Sequence, residues 1–199
     1  MNRALLVIDV QESFRTRPLW RAVSNPQIVD RVDELVASAR AGGDLVVWVL
    51  HTEPGTGTVF DPASGHVRLI DGLAVGPGEP LLTKTSHNAF TTTNLQQLLT
   101  SHGVRELTVC GIRTEQCCET TARLGSDLGY EVTFVTDATA TFPIPHWSAP
   151  AGQTVEELLA DPRTLPAAAV TERTEYALAG RFATVTSVAA MTGGMLTRS

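Results

Sequence analysis

Apolar runs of strand length recur along this chain, each giving way to a helical stripe, and no other feature narrows the possible folds as far. Arg3 to Val10, Asp44 to Leu50, Glu106 to Cys110, Glu131 to Thr136 and Ala183 to Thr186 read as strands. Their near-continuous Val, Leu and Ile content is the pattern of strands covered on both faces, as in a parallel sheet. Leu81-Leu82-Thr83-Lys84 is a shorter apolar segment and a further candidate strand end. Between these runs, Ile28, Val29, Val32, Leu35 and Val36 repeat on one helical face, entered through Asn25-Pro26 and stopped by Gly42-Gly43. Thr93 to Ser101 sets Leu95, Leu98 and Leu99 on one stripe before Gly103, Cys117 to Leu128 runs to Gly129, and Glu172 to Gly180 reads as a shorter helix. The alternation predicts an α/β fold, a parallel sheet wrapped by helices. Two Gly- and Pro-rich stretches interrupt it, Glu53 to Pro80 and Pro143 to Pro166. Loops of that length act as lids, pocket walls or oligomer contacts, and the second has room for a short helix, Val155 to Ala160.

With 199 residues, 43% hydrophobic and 18% charged, the chain suits a single domain, 1–199, with a full core. A formal charge of -6 and no Lys/Arg cluster argue against nucleic acid and for a small-molecule partner. The start, Met1-Asn2-Arg3 followed by Ala4 to Ile8, is too short for a secretory h-region and meets Asp9, Gln11 and Glu12 at once. No stretch approaches the roughly 18 apolar residues of a membrane span. The expectation is a cytoplasmic protein without membrane contact. Three cysteines, two of them adjacent, argue against a secreted disulfide framework.

Cys117 and Cys118 open a helix directly after an apolar run and the turn Gly111-Ile112-Arg113-Thr114. The partial positive charge and unpaired N–H groups of a helix start favour thiolate and can hold an oxyanion, which makes Cys117 the candidate nucleophile. Helical neighbours point about 100° apart, so only one of the two faces a crevice. Cys118, in register with Ala122, is assigned to packing. Asp9 ends the first strand, where a carboxylate either faces the ligand crevice or caps a turn. A lone lysine such as Lys84 is usually a solvated charge. Held between a carboxylate and a cysteine, it would instead favour the thiolate and align the carboxylate as proton acceptor.

Leu6-Val7-Ile8-Asp9-Val10-Gln11-Glu12-Ser13-Phe14, then Lys84 to Phe90, then Cys110-Gly111-Ile112-Arg113-Thr114-Glu115-Gln116-Cys117 resemble the three signature blocks of the isochorismatase-like cysteine hydrolases. The likeness extends through Gly129-Tyr130-Glu131-Val132 and Asp137-Ala138-Thr139-Ala140-Thr141. It implies a three-layer α/β/α Rossmann-like domain around a parallel sheet of about six strands, assembled as a homodimer or larger homo-oligomer. Pro143 to Pro166 is the candidate loop for reaching a neighbour's site. It also implies a catalytic triad of Asp9, Lys84 and Cys117, a cis peptide at Ile112-Arg113, and an oxyanion hole from the N–H groups of Arg113 and Cys117. No cofactor is expected. Relatives that deaminate nicotinamide carry a metal cluster built on an Asp-x-His unit after the second strand. This chain reads His51-Thr52-Glu53-Pro54 there, with His66 farther on, so no metal is expected, and His51 and Glu53 are left to line the pocket or to pair.

Gln11, Phe14, His51, Asn88 and Phe90 are the candidate substrate-binding residues, Asn88 standing where many relatives place Ser. Trp20, His146 and Trp147 are further pocket or lid candidates unless they are core. Arg113 either forks onto a carboxylate-bearing substrate or pairs with a neighbouring acid. The leading reaction is thiol-dependent hydrolysis of a small amide, ureide or related C–N bond through a thioester. Two alternatives stay open: isochorismatase-type vinyl-ether hydrolysis by protonation from the aspartate, which needs no cysteine, and a binding or scaffold protein that keeps the fold without turnover.

Overall fold

Alternation along the first strand decides how the layers assemble. In the computed structural model, which describes residues 2–193, β1 (Arg3–Ile8) sends Leu5 and Val7 into one core and Ala4, Leu6 and Ile8 into the other. The single-domain expectation over 1–199 also takes in Met1 and 194–199, which lie outside the described residues. The remaining strands are β2 (Leu45–His51), β3 (Leu81–Lys84), β4 (Glu106–Ile112), β5 (Glu131–Ala140) and β6 (Thr184–Thr186). The helices are α1 (Glu12–Arg15), α2 (Ile28–Ala41), α3 (Leu95–Ser101), α4 (Glu119–Asp127), α5 (Val155–Ala160), α6 (Ala167–Leu178) and α7 (Val188–Thr192). The strands form one six-stranded sheet in the order β3-β2-β1-β4-β5-β6, every neighbouring pair parallel.

One face of the sheet buries Ile28, Val32, Leu35 and Val36 of α2 with Val188 of α7 against Val46, Trp48 and Val135. The other buries Leu95 and Leu99 of α3, Ala122 of α4 and Leu178 of α6 against Val47, Val49, Val109 and Phe134. This three-layer α/β/α arrangement is the predicted fold class. α4 is tied to α6 by Glu119, a buried carboxylate that accepts from Arg123, Arg173 and Thr174.

Several boundaries differ from the sequence reading, each for a local reason. β1 stops at Ile8 because Asp9 takes a left-handed conformation, φ 53°. β4 continues past Cys110 to Ile112, and β5 continues past Thr136, its register advancing from Phe134 to Thr139 while β4 advances only from Val109 to Gly111. α6 begins at Ala167, well before Glu172, since Pro166 sits at its cap and Ala167-Ala168-Ala169 are strong helix formers. α2 starts at Ile28, and Asn25 instead holds the preceding turn by accepting from the Gln27 N–H. α5 lies where it was expected and opens with a Thr154/Glu157 capping box. Gly111 is required by close approach. At φ 127° a Cβ there would stand 1.9 Å from the Ile8 carbonyl oxygen.

Candidate active site

Three strand ends at one rim of the sheet, those of β3, β1 and β4, deliver the central side chains. Asp9 directly follows β1, and its N–H donates to Val49 O of β2 at 2.8 Å; a left-handed φ is one that Asp tolerates better than most residues. β3 ends in Lys84, paired in register with His51 at the end of β2. β4 ends at Ile112, the Ile112-Arg113 peptide bond is cis, and Thr114–Cys118 form a π-helical turn leading into α4. The expected helix start at Cys117 is therefore corrected: helical structure begins at Thr114, and a π turn of this kind is a frequent functional-site feature.

Lys84 Nζ lies 2.7 Å from Asp9 Oδ2 and 3.4 Å from Cys117 Sγ. Its other neighbours are Ser86 O at 3.1 Å and His51 Nδ1 at 3.4 Å. An ammonium has three hydrogens and here has four acceptors, so His51 and Cys117 compete for the weakest bond. Because Lys84 only donates, His51 Nδ1 is the acceptor and its hydrogen sits on Nε2, facing Glu53 Oε1 at 3.5 Å. Asp9 and Lys84 are fully buried, and Cys117 is 5% exposed. Asp9 Oδ1 is buried with no hydrogen-bond partner.

The electrostatics weigh against the pull of the helix start on Cys117. Burial, and then the neighbouring Asp9 charge, push the Cys117 thiol up to about 12 despite Lys84, so the resting group is the thiol and not the thiolate. Burial also raises the Asp9 carboxyl above its ordinary value, against the pull of Lys84. His51 is lowered by burial and by Lys84, and is neutral at neutral pH. Cys110 and Cys118 are buried thiols raised by desolvation, with Cys118 in the packing position expected of it.

Supporting hydrogen bonds hold these groups in place. The Gln11 amide clamps β2, donating to His51 O at 3.0 Å and accepting from the His51 N–H at 2.7 Å. Asn88 Oδ1 accepts from the N–H groups of Phe90 and Thr91, folding the turn that presents Ser86 O to Lys84. Thr121 Oγ1 donates to Cys117 O at 2.6 Å and accepts from the Ala89 N–H at 3.0 Å, joining the nucleophile turn to the lysine loop.

Above Cys117 lies a cavity of about 130 Å³. Phe14 and His51 line it as expected, joined by Phe60 and His87. Arg17, Arg113, Glu53 and Gln116 complete its mouth. Three of the expected binding residues are elsewhere. Gln11 and Asn88 are occupied in the supporting bonds above, and Phe90 packs against Tyr130 in the α3/α4 core. Trp20 stacks at the edge of Phe142, 6.1 Å between ring centres, while Trp147 is 90% exposed beside His146, away from the cavity. Sequence reasoning missed Arg17, Phe60, His87 and Gln116. The last two lie inside the quoted blocks and were within reach, whereas Phe60 comes from a loop whose path no local pattern reveals.

Among the described residues no three His, Cys, Asp or Glu side chains converge as metal ligands, and no helix is long and apolar enough to cross a membrane.

The model of the isochorismatase domain matches residues 3–175. Over 192 residues the chain is 36% identical to streptothricin hydrolase of Streptomyces noursei, covering 95% of this chain and 64% of that protein. The chain thus spans just under two thirds of that relative's length. It is 35% identical over 153 residues to nicotinamidase 3 of Arabidopsis thaliana, covering 70% of this chain and 73% of the relative. The crystal structure of a cysteine hydrolase from Pseudomonas syringae pv. phaseolicola superimposes with a TM-score of 0.82 at 25% identity, over 96% of this chain and 91% of that one. The domain model spans most of the chain, and the chain belongs to the isochorismatase family.

Proposed function

We propose that the chain is a cysteine-dependent hydrolase acting on a small-molecule amide, ureide or related C–N bond through a thioester, with Asp9, Lys84 and Cys117 as its catalytic residues. The observation that carries this reading is the buried cluster itself: Lys84 Nζ 2.7 Å from Asp9 and 3.4 Å from Cys117, beneath a cavity that Cys117 lines. Two relatives whose names describe hydrolysis or amide cleavage support it.

Because the thiol is protonated at rest, turnover starts with proton removal. Asp9, with Oδ1 unpartnered, takes that proton, and Lys84 offsets the negative charge that moves onto sulfur. The sulfur lone pair forms the C–S bond to the substrate carbonyl carbon while the carbonyl π pair moves to oxygen. The N–H groups of Arg113 and Cys117 are assigned to that oxyanion, each such donor contributing about 3–4 kcal/mol in acyl transfer. Collapse restores the carbonyl and breaks the C–N bond, the nitrogen leaving with the proton from Asp9 as ammonia or an amine. Water then gives a proton to Asp9 as it attacks the thioester, the C–S bond breaks, and sulfur regains the proton as the carboxylic acid departs.

Ammonia release across a panel of primary amides, ureides and carbamoyl compounds tests the reading, paired with intact-mass detection of an acyl adduct on Cys117. The expected result is turnover of at least one compound, an adduct on the wild type, and neither in Cys117→Ala. Full turnover by folded Cys117→Ala would remove covalent catalysis and favour vinyl-ether hydrolysis by Asp9 instead.

A further inference from the structure

Two guanidinium groups share the cavity mouth, and only one of them has a carboxylate. Arg113 is 15% exposed, lies 5.4 Å over the Phe142 ring and reaches Glu115 Oε1 at 3.0 Å. Its Nε is buried with no hydrogen-bond partner. Glu115 is held from behind by the Thr141 hydroxyl, which donates to its Oε2. Arg17 is exposed at the turn after α1, its backbone N–H fixed on Phe14 O, and among the described residues no carboxylate lies within ion-pair distance of it. Its charge is felt at Arg113, where it disfavours the protonated form. Arg17 thus brings to the mouth a positive charge with no acid within ion-pair distance among the described residues.

Glu53 is an acid on the other side of the cavity. Glu53 is already engaged by the Thr58 hydroxyl at 3.0 Å and by His51 at 3.5 Å. Phe14 and Phe60 supply the apolar surface between, with ring centres 5.0 Å apart. The cavity is therefore polarised, with a cationic side at Arg17 and Arg113, apolar surface at Phe14 and Phe60, and an acidic side at Glu53. We infer that Arg17 and Arg113 form an anion subsite next to the nucleophile, and that the substrate is a small amide bearing a carboxylate close to the scissile bond. This deepens the thiol-hydrolase reading and rests on it. A planar guanidinium fork matches a carboxylate.

Two alkylating reagents of nearly equal size separate the ideas. Iodoacetate carries a carboxylate where iodoacetamide carries a carboxamide. The rate of each at Cys117, read by peptide mass mapping, is divided by its rate with N-acetylcysteine. The expected result is a normalised preference for iodoacetate of about tenfold, the scale of one charge-assisted hydrogen bond. That preference should shrink with added salt and in Arg17→Gln, and it should persist in Arg105→Gln, a change at the start of β4 on the opposite rim. A normalised ratio at or below one, or an undiminished ratio in Arg17→Gln, overturns the subsite while leaving the nucleophile intact. If both reagents label Cys110 or Cys118 ahead of Cys117, the thiol-hydrolase reading fails and takes the subsite with it.

Discussion

Replacing Lys84 by Met leaves a carboxylate without its counterion at the centre of the protein, and the damage should depend on pH in a defined direction. Lys84 and Asp9 are both fully buried and 2.7 Å apart. At an effective dielectric near 20 their attraction is about 6 kcal/mol before desolvation is counted, and removing one partner of a buried pair costs about 3–5 kcal/mol. Asp9 can escape part of that cost by taking a proton, since burial already raises its carboxyl pKa and loss of Lys84 removes the main opposing influence. Folded Lys84→Met then binds one proton that the unfolded chain, with an ordinary aspartate, does not. A group whose folded pKa is raised favours folding less as pH rises above the unfolded value. The variant should therefore lose about 1.4 kcal/mol per pH unit relative to wild type between the wild-type Asp9 pKa and its own higher one. The deficit, about 3–5 kcal/mol where Asp9 is ionised, should shrink on acidification as Asp9 takes its proton. Urea unfolding at several pH values measures this, with unchanged m confirming comparable states. Asp9→Asn/Lys84→Met should abolish the slope. A deficit independent of pH, or one that grows on acidification, would refute the argument.

Gly111→Ala should cost more than about 4 kcal/mol or prevent folding, because a Cβ 1.9 Å from the Ile8 carbonyl cannot be accommodated without separating β1 from β4; thermal unfolding of the purified variant decides it. Glu79 accepts from Arg40 at 2.7 and 2.9 Å and from Trp48 Nε1 at 2.6 Å, and these bonds hold its carboxyl down to about 2. A depressed acid stabilises above its unfolded pKa and loses that contribution as pH falls, here from about 4.5 toward 2. Glu79→Gln should thus cost at most about 3 kcal/mol at neutral pH and little near pH 3, as seen by unfolding at both. An equal cost at both pH values would contradict that assignment.

The parallel sheet was legible because its strands are buried on both faces, so hydrophobicity alone marks them: Leu45 to His51 and Glu106 to Ile112 leave almost no polar side chain in the middle layer. Asp9 and Lys84 were legible as ends of apolar segments and Cys117 as the residue past the turn after β4, since parallel strands carry their ends to one rim. Side-chain direction within the connecting turns was not. Asn88 and Phe90 lie in the lysine block yet point into a turn and a core, since hydrogen bonds among Ser86, Asn88 and Thr92 set the path there. Phe60 reaches the cavity only because the stretch after β2 folds back, closed by the Gln11–Leu69 bridge and the Asp61-capped turn at Pro62–Ser64. The balance of influences on the Cys117 thiol was hidden for a related reason. A helix start is visible in sequence, but desolvation and a facing aspartate belong to the assembled site and outweigh it.

All the chemistry proposed for this protein gathers where the strands finish, and the return turns at Gly42–Gly43, Gly103 and Gly129 lie where the next strands begin, at the far end of the sheet. Those three turns are natural attachment points. A dye, an affinity handle or a tether to a solid support placed there leaves the cavity mouth unobstructed, with the full height of the sheet as insulation between the graft and the reacting sulfur.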